Sequence, residues 1–417
     1  MKKTAIGWLA TCLVLSLFVG CGKRENPLRP AYPFHEAWQS SWRANSLENN
    51  LIGDSPQKSV FVYLPPQYDP TKQFAGGLTG FPVLYLLHDF GGDDETFVSV
   101  YKVAEVADQL IADLQIDPLI IVMPDVSSIA LASDQLKTKK AGTFYTNSAL
   151  LGRYEDYIAH DVMDSIELWY PTVGKTVDGV WIPDRNYHAI SGQGMGGYGA
   201  LKIAMDYDTL FASVSALSPF TSFESFLTRQ MIDSVYKENG IGPSDFSPSS
   251  YRNLNPWEDS THPDKTYSQL IFAMAAAFSP HDLGDPDTSQ FFALKTVSGI
   301  RYGADIPFDS TRTISPGSPV WYKWLLNDLT FRLDNDPTAF GDLSIYIDCG
   351  DQDQLGLLDG TRTFDQRLSL YGKSHTYQEY SGYAGAAADH DRFIHDRLPE
   401  ILKFHSKHFG PPKWEAQ

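Results

Sequence analysis

The sequence predicts an α/β protein built on a largely parallel sheet with helices on both faces. Two observations carry that reading. Segments rich in Val, Ile, Leu and Tyr, bounded by Pro, Gly or Asp, recur along the chain, and helix-like stretches lie between them. A third observation is length. At 417 residues the chain is long enough for two or three domains, but the regular alternation reads as one domain interrupted by one large insertion.

The first strands are expected at Ser59 to Leu64, Pro82 to His88 and Leu119 to Met123. Helices are expected at Tyr101 to Leu114 and at Tyr154 to Tyr170, where Ile158, Val162, Ile166 and Trp169 share one face. Tyr187 to Ser191 has the composition of a short buried strand, and Gly196 to Met205 reads as a helix that opens on small residues. Further strands follow at Phe211 to Leu217, Leu343 to Cys349 and Thr376 to Tyr380, and Asp391 to His408 forms the last helix. Between about 219 and 342 the alternation lapses into aromatic and Pro-rich chain, as in Tyr251 to Pro263, Ala275 to Pro280 and Val320 to Leu325. Such aromatics either line a pocket or pack as core, and core is the expectation for any single one.

Between the fourth strand and its helix, Ser191 to Gly197 reads Ser-Gly-Gln-Gly-Met-Gly-Gly. Gly192, Gly194 and Gly197 fit a dinucleotide-binding spacing, but that fold places the strand first and an acidic residue about 20 positions on. Here three strands precede, and Asp206 and Asp208 come too early. The better reading is a tight elbow whose flanking glycines let strand and helix approach closely while the central residue takes a positive φ. Glycine meets that backbone demand without strain, and Gly194 brings no hydroxyl.

Several motifs in order give the chain a resemblance. They are Tyr85 to Gly92 (Tyr-Leu-Leu-His-Asp-Phe-Gly-Gly), Phe144 to Ser148, Tyr154 to Ile158, Met195 to Leu201, Asp348 to Asp353 and Asp389 to Asp391. Together they resemble the esterase group of α/β-hydrolases that includes esterase D, feruloyl esterases and mycolyltransferases, over roughly Ser59 to Phe409. The resemblance implies an α/β-hydrolase fold, with the insertion at about 219–342 as a cap and an acyl or sugar-aryl pocket beneath it. It also implies carboxylic-ester hydrolysis by a serine, an acid and a histidine in that order. Gly194 occupies the nucleophile position, so GxSxG has become GxGxG. Asp353 is the implied acid, with Asp348 and Asp351 as its competitors, and His390 is the implied base. Met195 and Phe90 are the implied oxyanion-hole donors. Asp89 stands where the group usually has glycine; its carboxylate would either oppose an oxyanion or point to solvent. His88 reads as a hydrogen-bonded structural histidine.

Without its hydroxyl a serine hydrolase loses on the order of a millionfold in turnover, which predicts a catalytically impaired pseudo-esterase that binds an ester-bearing glycan or lipid. The alternative is an active ester hydrolase or acyltransferase using another nucleophile, for which Ser218 and Ser191 are the neighbouring hydroxyls.

At the amino terminus Lys2 and Lys3 precede an apolar run from Ala5 to Val19 that ends at Gly20-Cys21. This resembles a bacterial lipoprotein signal over residues 1–20, with Cys21 lipidated and the chain exported to the cell envelope. Residues 21–55 then form a tether and lead-in, 56–410 the domain, and 411–417 a tail. Cys12 leaves with the signal, so Cys349 stands alone and no internal disulfide is expected. No CxxC or HExxH string occurs; no metal or cofactor is expected, and the acidic stretch Asp282 to Asp287 is the one loop that calcium would suit. The net charge of −18 becomes about −20 once the signal is removed, a balance that repels nucleic acid. The only membrane contact expected is through the lipid anchor.

Overall fold

The computed structural model describes residues 38–66, 68–69, 80–128, 142–258, 260–382 and 385–410. Cys21 and the rest of the expected signal lie outside them. The central sheet has eight strands: β1 (Trp38–Arg43), β2 (Gln57–Tyr63), β3 (Val83–Leu87), β4 (Ile120–Pro124), β5 (His188–Gln193), β6 (Ser213–Leu217), β7 (Ser344–Gly350) and β8 (His375–Tyr380). Their order is β1-β2-β4-β3-β5-β6-β7-β8. From β4 to β8 every neighbouring pair is parallel, and β2 runs antiparallel to both β1 and β4.

Strands β3 to β6 are buried along their whole length, as a parallel sheet covered on both faces requires. The two-residue period of β3 sorts its side chains between two cores. Val83, Tyr85 and Leu87 face one layer, which includes Ile158, Val162 and Ile166 of helix α2, built from the continuous segments Tyr154–Asp156, Tyr157–Val162 and Met163–Trp169. Leu84 and Leu86 face the other, which includes α1 (Val103–Ala112) and the last helix. Helix α3 (Met195–Asp206) follows β5 directly, α4 is Leu358–Leu370, and the last helix, α5, is Ile394–His408.

One expectation is corrected. Residues 38–43, assigned to the tether, form strand β1, and Ala44, Leu47 and Ile52 behind it are fully buried. The polar run Gln39-Ser40-Ser41 hid this strand, which among the described residues pairs on one edge only. Of the two alternatives for the insertion's aromatics, the structure shows core: Phe223, Phe278 and Trp324 are buried and meet Tyr198 of α3 and Phe144 in a network of ring contacts. Trp324 also donates its indole N–H to Ser279 Oγ at 2.8 Å. Within the insertion Thr266–Phe278 is a regular helix, and Phe291–Val297 pairs with Ile300–Asp305 as a hairpin.

Candidate active site

The chemistry-bearing residues sit on loops at the carboxyl ends of β3, β5, β7 and β8, where open α/β sheets build their sites. The turn after β5 is the tight elbow expected from the glycines. Gly194 has φ 51° and ψ −111°, and its N–H donates to Leu217 O at 2.8 Å. A Cβ on Gly192 would lie 2.3 Å from the Gly196 carbonyl, and one on Gly196 would lie 2.0 Å from Leu87 O. Strand and helix therefore touch backbone to backbone, which only glycine permits.

His390 lies in the loop before α5 and is buried. Its Nδ1 is 2.8 Å from Asp353 Oδ2. The Asp353 carboxylate is fully buried and its other oxygen accepts the Leu355 N–H at 2.9 Å. Of the competing acids, Asp348 is bound by the Arg397 guanidinium, and neither it nor Asp351 bonds to His390 among the described residues.

The second imidazole nitrogen finds a carboxylate instead of a hydroxyl. Nε2 of His390 is 2.8 Å from Asp89 Oδ2, and the N–H of Met195 donates to Asp89 Oδ1 at 2.6 Å. A Cβ built on Gly194 would lie 2.0 Å from Oδ1, 2.3 Å from Cγ and 2.5 Å from Oδ2 of the same carboxylate. The Asp89 side chain thus fills the space that a serine at 194 would take and engages both the base and the hole. Of the two alternatives for Asp89, pointing to solvent is ruled out, for its side chain is only 13% exposed. Its loop is fixed from behind: the His88 ring bonds Asp89 O through Nδ1 at 2.8 Å and accepts the Val126 N–H through Nε2 at 3.1 Å. Gly92 N–H also donates to Asp89 O, and Tyr145 Oη–H donates to His88 O. His88 is the structural histidine expected. Phe90 follows in the same loop with its ring packed near Phe144, and among the described residues its N–H makes no bond to the Asp89 carboxylate.

Burial opposes charge on the His390 ring, but Asp89 and Asp353 on its two sides outweigh burial and hold it well above the usual imidazole range. That direction favours the imidazolium, and an imidazolium cannot act as a general base. The candidate substitute hydroxyls are engaged elsewhere. Ser191 Oγ accepts from Ser215 Oγ at 2.6 Å, deep in the sheet. Ser218 is fully buried, has φ 46° and faces Arg397; His390 reaches neither.

Among the described residues, one group has donor atoms close enough to hold a metal ion: Asp89, His390 and Asp391, within 4.8 Å of one another. A cation there would have to displace the proton shared by His390 and Asp89. The acidic loop at 282–287 satisfies its own turns, with Asp282, Asp285 and Asp287 accepting the N–H groups of Gly284, Asp287 and Ser289.

Residues 56–403 match the family model described as "Putative esterase". Among solved structures, the chain is similar to an S-formylglutathione hydrolase from Agrobacterium tumefaciens, with 16% identity over 91% of this chain and 98% of that one and a TM-score of 0.50. A ferulic acid esterase matches at 18% identity over 90% and 98%, with a TM-score of 0.49. A ferulic acid esterase from Anaeromyces mucronatus matches at 15% over 93% and 95%, with a TM-score of 0.46. At these identities the likeness concerns the fold.

Proposed function

The chain belongs to the esterase family of α/β-hydrolases, and from that premise we propose that it has lost serine catalysis and keeps the old active site as a binding site for an ester-bearing glycan or lipid. The observation that supports this reading is the Asp89 carboxylate, which stands in the volume of the serine side chain and engages both Met195 N–H and His390 Nε2. Acyl transfer needs a nucleophile, a neutral base and a donor free to meet the developing oxyanion. At this site the hydroxyl is absent, the base is flanked by two carboxylates that favour its charged form, and Met195 N–H is already taken. Asp89 and the exposed Asp391 disfavour anionic ligands, so a neutral ester suits the site better than a free acid.

The test is hydrolysis of p-nitrophenyl acetate and a feruloyl ester by protein lacking its first 21 residues. The native chain is expected to match a His390→Ala variant, with both near background. Turnover by the native chain that His390→Ala abolishes would overturn the reading.

Export as a lipoprotein is part of the same proposal and rests on Lys2, Lys3, the apolar run and Gly20-Cys21. The full-length chain expressed in a bacterium is expected in the membrane fraction with a lipid-modified Cys21, and Cys21→Ser is expected to release it. Equal partitioning of the two forms would contradict the anchor.

A further inference from the structure

We infer that Asp89 is a carboxylate nucleophile toward saturated carbon, and that the chain hydrolyses alkyl sulfonium compounds through an alkyl ester on Asp89. The inference rests on the reading that Asp89 has taken over the serine's place, and it goes beyond that reading by giving the site a reaction.

The geometry has the parts that nucleophilic catalysis needs. Nucleophile and base are joined at 2.8 Å, and base and orienting acid at 2.8 Å. A backbone donor lies 2.6 Å from the carboxylate oxygen that would become an oxyanion. Each Asp89 oxygen has one such partner, while an ionised carboxylate offers about four lone-pair sites in all. Oδ2 therefore keeps a lone pair for attack while Oδ1 stays on Met195 N–H. The loop behind is held by His88, Gly92 and Tyr145, so the carboxylate is preorganised.

Chemistry selects the electrophile. Attack by a carboxylate on an ordinary ester would form an anhydride and expel an alkoxide, a far stronger base, so the intermediate would revert. Attack at saturated carbon forms a stable ester if the leaving group is a weak base. The site is rich in carboxylates, with Asp353 and Asp391 beside Asp89 and His390. Such surroundings attract a cation and resist the release of an anion. A sulfonium meets both conditions because it arrives charged and departs as a neutral thioether.

In the first step the Asp89 Oδ2–carbon bond forms, the carbon–sulfur bond breaks, and the electron pair leaves on sulfur. Asp89 loses its charge, which removes one of the two carboxylates that held the proton on His390, and that proton passes to solvent. In the second step His390 takes a proton from water as hydroxide adds to Asp89 Cγ. The oxyanion forms on Oδ1 against Met195 N–H. Collapse expels the alkoxide, which takes the proton from His390, and the new carboxylic acid of Asp89 then reprotonates His390. The sum is sulfonium plus water giving alcohol, thioether and one proton.

The experiment uses hexyldimethylsulfonium with protein lacking its first 21 residues, and 1-bromohexane as the anionic-leaving-group comparison. His390→Gln is expected to slow ester hydrolysis by about a hundredfold and to accumulate one hexyl group, mapped by peptide mass spectrometry to Asp89. In heavy-oxygen water, a single turnover of the native chain is expected to place the label in the Asp89 carboxylate and not in the hexanol. Asp89→Asn, shown to be folded by its circular dichroism, is expected to show neither product. Labelling of the bromide kind alone would overturn the choice of substrate. Absence of an Asp89 adduct in folded His390→Gln, or label appearing directly in hexanol, would overturn the nucleophile. None of these outcomes depends on ester turnover, whose appearance in the native chain is what would defeat the reading of a lost esterase.

Discussion

Gly194→Ser alone is expected to leave the chain without useful esterase activity, whereas Gly194→Ser combined with Asp89→Gly is expected to restore it. In the single variant the new Cβ lies 2.0 Å from Asp89 Oδ1 and 2.3 Å from Cγ. Asp89 is a short side chain on a pinned loop, so the clash can be relieved only by breaking its bonds to Met195 and His390. Each of those is charge-assisted and contributes about 1.5–3 kcal/mol. Serine must also accept φ 51° and ψ −111°, which costs about 1–3 kcal/mol for a residue with a side chain. In the double variant the space opens, Met195 N–H is released for an oxyanion, and His390 loses one flanking carboxylate and meets a hydroxyl. The rise in turnover over the single variant is expected to be on the order of a thousandfold or more, by analogy with the cost of removing such a nucleophile. Hydrolysis of p-nitrophenyl acetate by the purified pair measures it, with melting temperatures to show that both are folded.

The second large effect concerns stability. Arg397→Met is expected to destabilise the chain by about 3–5 kcal/mol, the usual cost of stranding one member of a buried ion pair. Arg397 on α5 is buried and bonds both oxygens of Asp348 at the end of β7, with Asp348 itself only 2% exposed. Its guanidinium also lies 4.2 Å from the centre of the Tyr380 ring on β8. The pair thus ties the last helix to the last two strands, next to the loops that carry Asp353 and His390. Removing the partner as well, in Arg397→Met with Asp348→Leu, is expected to recover much of the loss, because no uncompensated charge remains in the core. Urea unfolding of the three proteins separates the cases. Equal midpoints for the native chain and Arg397→Met would show that water reaches Asp348.

Much of this molecule is legible in its sequence because parallel strands buried on both faces are written as continuous apolar runs. Val83 to Leu87 and Ile120 to Met123 are of this kind. The elbow is equally plain, since Gly192 and Gly196 answer backbone contacts that admit no side chain and Gly194 takes a positive φ. The pairing of Asp353 with His390 was implied by the resemblance, with Asp348 and Asp351 left open beside it. Strand β1 was not legible, because an edge strand that alternates Gln, Ser and Trp carries a weak signal beside a Pro-rich stretch. The insertion's helices were obscured by short segments and by aromatics that serve a core shared with α3.

The direction of Asp89 is the most consequential part that local sequence could not give. Whether a residue after a strand faces solvent or the site depends on loop torsions, and those are set here by long-range contacts from His88 to Val126 and from Tyr145 to His88. A signal was nonetheless present. By the resemblance the chain departs from the esterase pattern twice, with glycine for serine at 194 and a carboxylate for glycine at 89. Read as a pair, they place the new group in the space left by the old one.

The central claim is that the Asp89 carboxylate sits on His390 in the serine's place, and nitrogen NMR of the histidine rings tests it most directly. With carboxylates on both sides, His390 is expected to carry protons on both ring nitrogens at neutral pH and to give them up only well above the usual imidazole range. The sign follows from linkage: a raised pKa in the folded state adds stability at low pH, and that stability is lost as pH rises through the folded value. Asp89→Asn removes one carboxylate and is expected to bring the His390 titration down. A His390 that titrates at the same pH in the native chain and in Asp89→Asn would contradict the account.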